Sequence, residues 1–145
     1  MSVEDPHDLQ RFVEAQASTY EQALSEVRDS RKRSHWMWFI FPQIDGLGFS
    51  PMARRYSIKS LDEASAFLAH PILGARLLEI SNAALAVSGP CAHEIFGSPD
   101  DLKLRSCATL FGRAAGPDSV FQRLLEKYYE GEADAATLRI LDSDH

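Results

Sequence analysis

The sequence predicts an all-α domain, a compact orthogonal bundle of six to eight short helices around a central aromatic-rich segment. Three observations point there. Helix start and stop signals recur along the whole chain, no pair of segments alternates apolar and polar residues as partnered strands do, and the connections between periodic segments are short. At 145 residues, 45% hydrophobic and 25% charged, the chain suits one domain over 1–145, with no internal repeat or linker to divide it.

Asp5 as N-cap and Pro6 at the first helical position open a first helix. Its stripe of Leu9, Phe12, Val13, Gln16, Tyr20, Leu24 and Val27 carries it to about Asp29 or Ser30. The segment RKRSHWMWFIFPQ, 31–43, follows. It holds both tryptophans, and its apolar run Trp36–Phe41 is too short to cross a membrane and too dense for one face of a surface helix. A short buried helix is expected there, because no neighbouring segment offers a strand partner. Gly46 and Gly48 mark a loop, and Ser50-Pro51 opens a turn of helix through Arg54.

Ser60 and Glu63 form a capping box for a helix that stops near His70, ahead of Pro71. Pro71 then serves as the first position of a helix with Leu73, Leu77, Ile80, Ala84 and Leu85 inward, ended by Gly89-Pro90. Ser98-Pro99-Asp100-Asp101 starts another, running to Leu110 or Phe111. Gly112 and Gly116 bracket a loop. Pro117 opens a helix with Val120, Phe121, Leu124, Leu125 and Tyr128 inward, and Gly131 is its C′ residue. A last helix spans roughly 134–141.

Composition narrows function. The formal net charge of −6 disfavours a general nucleic-acid-binding surface. No apolar run reaches the length of a membrane span, and MSVEDPHDL has neither a basic nor an apolar signal region, so a cytoplasmic location is the default expectation. Cys91 and Cys107 make no C-x-x-C pair and are expected to be free thiols. The five histidines show no metal-ligand spacing, and no phosphate-loop motif is present, so neither metal nor cofactor is expected.

The candidate site lies around the aromatic block. Trp36 and Trp38 are either core or the wall of a pocket that stacks a flat ligand. His35 is a packed imidazole or a proton carrier. Arg31, Lys32 and Arg33 either close the first helix against its dipole or, with Arg54 and Arg55, bind phosphate. Gln43 is the polar group at the far end of the block. Asp101 and Lys103 belong to a capped, solvated turn or to an anion-binding helix start. Glu63, Glu79, Glu94 and Glu130 read as surface residues of helices.

SHWMWFIFPQ (34–43), GLGFSPMARRYSI (46–58), FLAHPILGARL (67–77), IFGSPDDLKLRSCATLF (95–111) and YYEGEADAATLRIL (128–141) resemble the domain-of-unknown-function 1810 family across nearly the whole chain. The resemblance implies a compact helical fold and no defined activity. Bacterial members carry the label calpastatin, but inhibitors of that kind are disordered repeat chains, and no repeat occurs here. The order of short helices, aromatic block and acidic helix start also looks distantly like the NADAR superfamily. That likeness implies Trp36, Trp38, Asp101 and Lys103 around a ribose-phosphate ligand, with cleavage of an N-glycosidic bond.

The functional expectation is therefore a site for a nucleotide-like or phosphorylated small molecule. His35 and Asp101 are the expected catalytic residues, and Lys32, Arg33, Trp36, Trp38, Gln43, Arg54 and Lys103 the expected ligand-binding ones. In hydrolysis, Asp101 would be the acid or water-activating base at an oxocarbenium-like centre. The alternative is a non-catalytic interaction module presenting Tyr20, Tyr56, Tyr128 and Tyr129 to a protein partner.

Overall fold

The computed structural model describes residues 5–143. Ten helices follow one another: α1 Gln10–Gln16, α2 Tyr20–Arg28, α3 Met37–Ile40, α4 Pro51–Arg55, α5 Leu61–Ala69, α6 Leu73–Ala86, α7 Ala92–Phe96, α8 Asp100–Ala115, α9 Val120–Tyr129 and α10 Ala135–Ser143. α8 packs against α5, α7, α9 and α10, and α6 against α2, α5 and α9. Residues Ser106–Phe111 of α8 are buried without interruption, so this stretch of the helix is enclosed on every side. The aromatic block joins the same core through Trp36, Met37, Phe39, Ile40 and Phe41.

Two helices stand where one was expected at the N-terminus. The Asp5 carboxylate accepts from the Leu9 and Gln10 amides at 2.8 and 2.9 Å, so it caps α1 from outside and the helix starts at Gln10. Ser18 and Thr19, both weak helix formers, fall at the break before α2. Gln16 is buried there and donates from Nε2 to the Phe39 carbonyl at 2.7 Å, which ties α1 to α3. The apolar stripe survives the break, with Phe12, Tyr20, Leu24 and Val27 all in the core.

α3 is the short buried helix expected of the aromatic block. Beyond it, Ile58 donates to the Gln43 carbonyl and accepts from the Asp45 amide, each at 2.8 Å, making one parallel bridge between Ile44 and Ile58. A partner for this segment does exist, but it supplies a single bridge and no strand.

Several boundaries moved for identifiable reasons. Ser60 caps α5 by accepting from the Glu63 amide at 3.1 Å, but Glu63 turns to the Lys59 amide at 2.8 Å and to Arg11, and is buried. It is a core residue rather than a surface one. The His70 imidazole Nδ1 accepts from the Ile72 and Leu73 amides, so α6 begins at Leu73 rather than Pro71. α7 was not foreseen. Its start is a capping box between Cys91 and Glu94, a pair in which cysteine takes the usual place of serine. Ser98 does not cap α8, which starts at Asp100 after a cis Ser98–Pro99 bond and continues through Gly112. α9 closes as expected: Glu130 is left-handed and the Gly131 amide donates to the Leu125 carbonyl at 2.9 Å.

Candidate functional site

Glu26, on the inner face of α2, organises the approach to the aromatic block. One oxygen, Oε1, accepts from the Arg33 and Ser34 amides at 2.7 and 3.1 Å and from the Trp36 indole at 2.9 Å. The other accepts from the Ser34 hydroxyl at 2.7 Å and Gln22 Nε2 at 3.0 Å. Burial alone raises the carboxyl's pKa, but these hydrogen bonds outweigh it and hold the group at about 2. Trp36 is fully buried, so its ring has no face open to a ligand. Nothing in the sequence spacing marked Glu26, because a single carboxylate within an amphipathic helix reads as surface.

Four of the expected residues meet at the start of α8. The Lys32 ammonium lies 2.9 Å from Asp100 and 5.0 Å from the centre of the Trp36 ring. Asp100 also pairs with Lys103 at 3.3 Å, and Lys103 lies 5.1 Å from the centre of the Trp38 ring. The order Trp36, Lys32, Asp100, Lys103, Trp38 alternates aromatic and charged groups and satisfies both lysines internally. Trp38 is half-buried and lines a crevice with Gln43, Gly46, Gly48, Ala53 and Ser57. About 10 Å³ is free there, room for one water at most.

The remaining expected residues lie apart. His35 is exposed and forms no ion pair with Asp101 among the described residues. Asp101 pairs instead with His93 at 3.4 Å, and its carbonyl accepts from the Tyr129 hydroxyl. Arg33 is exposed, 4.0 Å from Asp29. Arg54 does not line the crevice and belongs to a different cavity.

That cavity is an open cleft of about 680 Å³ between the turn before α1 and α4, lined by Pro6, His7, Asp8, Arg11, Pro51, Arg54, Arg55, Lys59 and Glu63. Arg11 forms its floor. Its guanidinium donates to the carbonyls of His7, Asp8, Arg55 and Ser57 and to Glu63 Oε2 at 2.8 Å. Lys59 pairs with Asp45 at 3.3 Å and donates to the Ser57 hydroxyl at 2.6 Å. The Asp45 carboxyl is held below its ordinary value, first by the hydrogen bond from Ser57 and then, against burial, by Lys59. Arg54 and Arg55 have no ion-pair partner among the described residues, and both are exposed. Of this group the sequence pointed to Arg54 and Arg55. His7, Arg11 and Lys59 escaped it, because the turn before α1 and the segment after α4 converge only in the fold.

With the geometry in place, comparison with known proteins gives the lineage. The family model described as a protein of unknown function (DUF1810) matches residues 6–141. The chain belongs to that family. It is also similar to a solved structure, the crystal structure of the conserved hypothetical protein Rv1873 from Mycobacterium tuberculosis. That similarity has 53% identity and a TM-score of 0.93 over 95% of this chain and 99% of that one. No curated protein matches the chain. Among the described residues, no group of three or more histidines, cysteines or carboxylates is placed to hold a metal ion. No helix among them is long and apolar enough to cross a membrane.

Proposed function

We propose that this DUF1810 protein binds a phosphorylated small molecule in the cleft between the turn before α1 and α4. The observation that carries the reading is the charge of the cleft. Four cations and two carboxylates line it, an excess of two positive charges with His7 neutral, in a chain whose net charge is −6. Glu63 is taken up by Arg11 and Asp45 by Lys59, so Arg54 and Arg55 retain guanidinium donors for a ligand. Arginine forks suit phosphate oxygens, and the volume falls in the range of about 300–1,000 Å³ usual for small-molecule sites. Arg54 and Arg55 are the residues of the sequence reading that this site retains. Lys32, Lys103, Trp36 and Trp38 act instead as a structural brace, and Gln43 belongs to the crevice beside it.

Hydrolysis of an N-glycosidic bond draws no support from this geometry, since no ion pair joins His35 and Asp101 among the described residues and neither lines the cleft. The interaction-module reading is weakened as well. Tyr20 and Tyr56 are in the core, and the Tyr128 and Tyr129 hydroxyls are spent on the Ala84 and Asp101 carbonyls.

The test is calorimetric titration of the chain with inorganic pyrophosphate, beside an Arg54→Ala/Arg55→Ala double variant. Binding by the parent chain and its loss in the variant support the reading. An unchanged affinity in the variant removes the cleft from it.

A further inference from the structure

Phe49 is an exposed aromatic residue in a protein whose other phenylalanines sit in the core. It is 71% exposed, whereas Phe12, Phe39, Phe41, Phe67, Phe96, Phe111 and Phe121 are all buried. Its position is fixed by its surroundings. At Gly48 a Cβ would stand 2.9 Å from the Ala53 Cβ, so the loop is pressed against α4. One residue after Phe49, the Ser50 hydroxyl accepts from the Ala53 amide at 3.1 Å and caps that helix. Phe49 is therefore held between two fixed points, with its ring toward water.

The ring adjoins the cleft. Arg54, which lines the cleft, has its guanidinium carbon 6.0 Å from the Phe49 ring centre, and Pro51, two residues on, lines it too. An exposed, positioned ring beside Arg54, with Arg55 the next residue of α4 and also lining the cleft, provides a flat apolar surface and an anion site on one short stretch of chain. A flat aromatic group carrying a phosphate matches both at once: the ring stacks on Phe49, and the phosphate oxygens take the forks of Arg54 and Arg55.

We infer that the cleft takes a nucleoside phosphate, with its base stacked on Phe49 and its phosphate on Arg54 and Arg55. This rests on the phosphate-binding reading above and adds the identity of the group attached to the phosphate.

The experiment compares adenosine 5′-monophosphate with ribose 5-phosphate, which carries the same phosphate and sugar without a base. Both are titrated into the parent chain, Phe49→Ala and Phe49→Trp. Stacking on one aromatic side chain predicts a gain of about tenfold for the nucleotide over the sugar phosphate. Phe49→Ala should erase that gain and leave ribose 5-phosphate binding unchanged, while Phe49→Trp should keep it. Because the ring is exposed, the alanine variant should melt with the parent, and circular dichroism checks this. Equal affinities for the two ligands in the parent chain, or a nucleotide gain that persists in Phe49→Ala, would overturn the nucleoside assignment while leaving phosphate binding intact. Binding of neither ligand would overturn both readings. Phe49-dependent binding to phosphatidylserine vesicles without nucleotide binding would reassign the patch to a lipid surface and overturn the inference.

Discussion

The Glu26 carboxylate accepts the indole hydrogen of Trp36 at 2.9 Å, with both side chains buried. Through the same oxygen it holds the backbone amides of Arg33 and Ser34, so one carboxylate fixes the chain entering the aromatic block. Replacing Glu26 with alanine leaves these donors without an acceptor. The expected cost is about 3 kcal/mol or more, read as a lowered midpoint in urea unfolding.

The same group gives stability a pH dependence. The Glu26 carboxyl has an ordinary value of 4.5 and is held at about 2 in the folded chain. A carboxyl depressed by folding stabilises fully above its unfolded value, and that contribution drains away as pH falls from 4.5 to about 2. Across that window the parent should lose about 3 kcal/mol through this residue. Glu26→Gln should lack that part of the acid slope. Parallel slopes for the two proteins would count against the assignment.

Gly74 marks a close contact between α5 and α6. A Cβ there would lie 2.0 Å from the Leu68 carbonyl oxygen, which is backbone and cannot rotate away. Gly74→Ala must therefore push α5 and α6 apart, at an expected cost of about 3 kcal/mol, although alanine is the better helix former. Thermal unfolding of the variant measures it.

The two thiols should differ in reactivity. Cys91 is exposed and Cys107 is buried, with desolvation raising its thiol pKa well above the ordinary range. A disulfide reagent should titrate one thiol in the folded protein and two in denaturant. Two fast thiols under native conditions would contradict the burial of α8.

Arg54 and Arg55 are exposed and hold no ion pair among the described residues, so the phosphate-binding proposal requires neither of them for the fold. Arg54→Ala and Arg55→Ala should each shift stability by no more than about 0.5 kcal/mol. A larger loss, read by urea unfolding, would mean that the pair supports the fold.

The helices were legible because their signals are local. Ser60 before Glu63, Gly131 after Tyr129 and the apolar stripe of α9 each act within a few residues. What was illegible depends on distant partners. Cys91 capping α7, His70 capping α6 and Asp5 reaching Gln10 are polar side chains in uncommon roles that spacing does not announce. The aromatic block was rightly the densest core segment, but density drew the expected site toward it. Lys32 and Lys103 turned out to be neutralised by Asp100, while Arg54 and Arg55 were left without an ion pair among the described residues on a short helix of no special pattern. Charge that is already paired and charge that is still available look the same in a sequence.

The most direct test of the cleft is a residue-resolved titration with ribose 5-phosphate, followed by two-dimensional amide NMR of the labelled chain. The account predicts saturable shifts confined to the amides of His7, Asp8, Arg54, Arg55 and Lys59, with Trp38 and Lys103 unmoved. Shifts centred on Trp38, Gln43 and Lys103, or none at all at about 10 mM, a concentration that saturates any site of millimolar affinity, would contradict it.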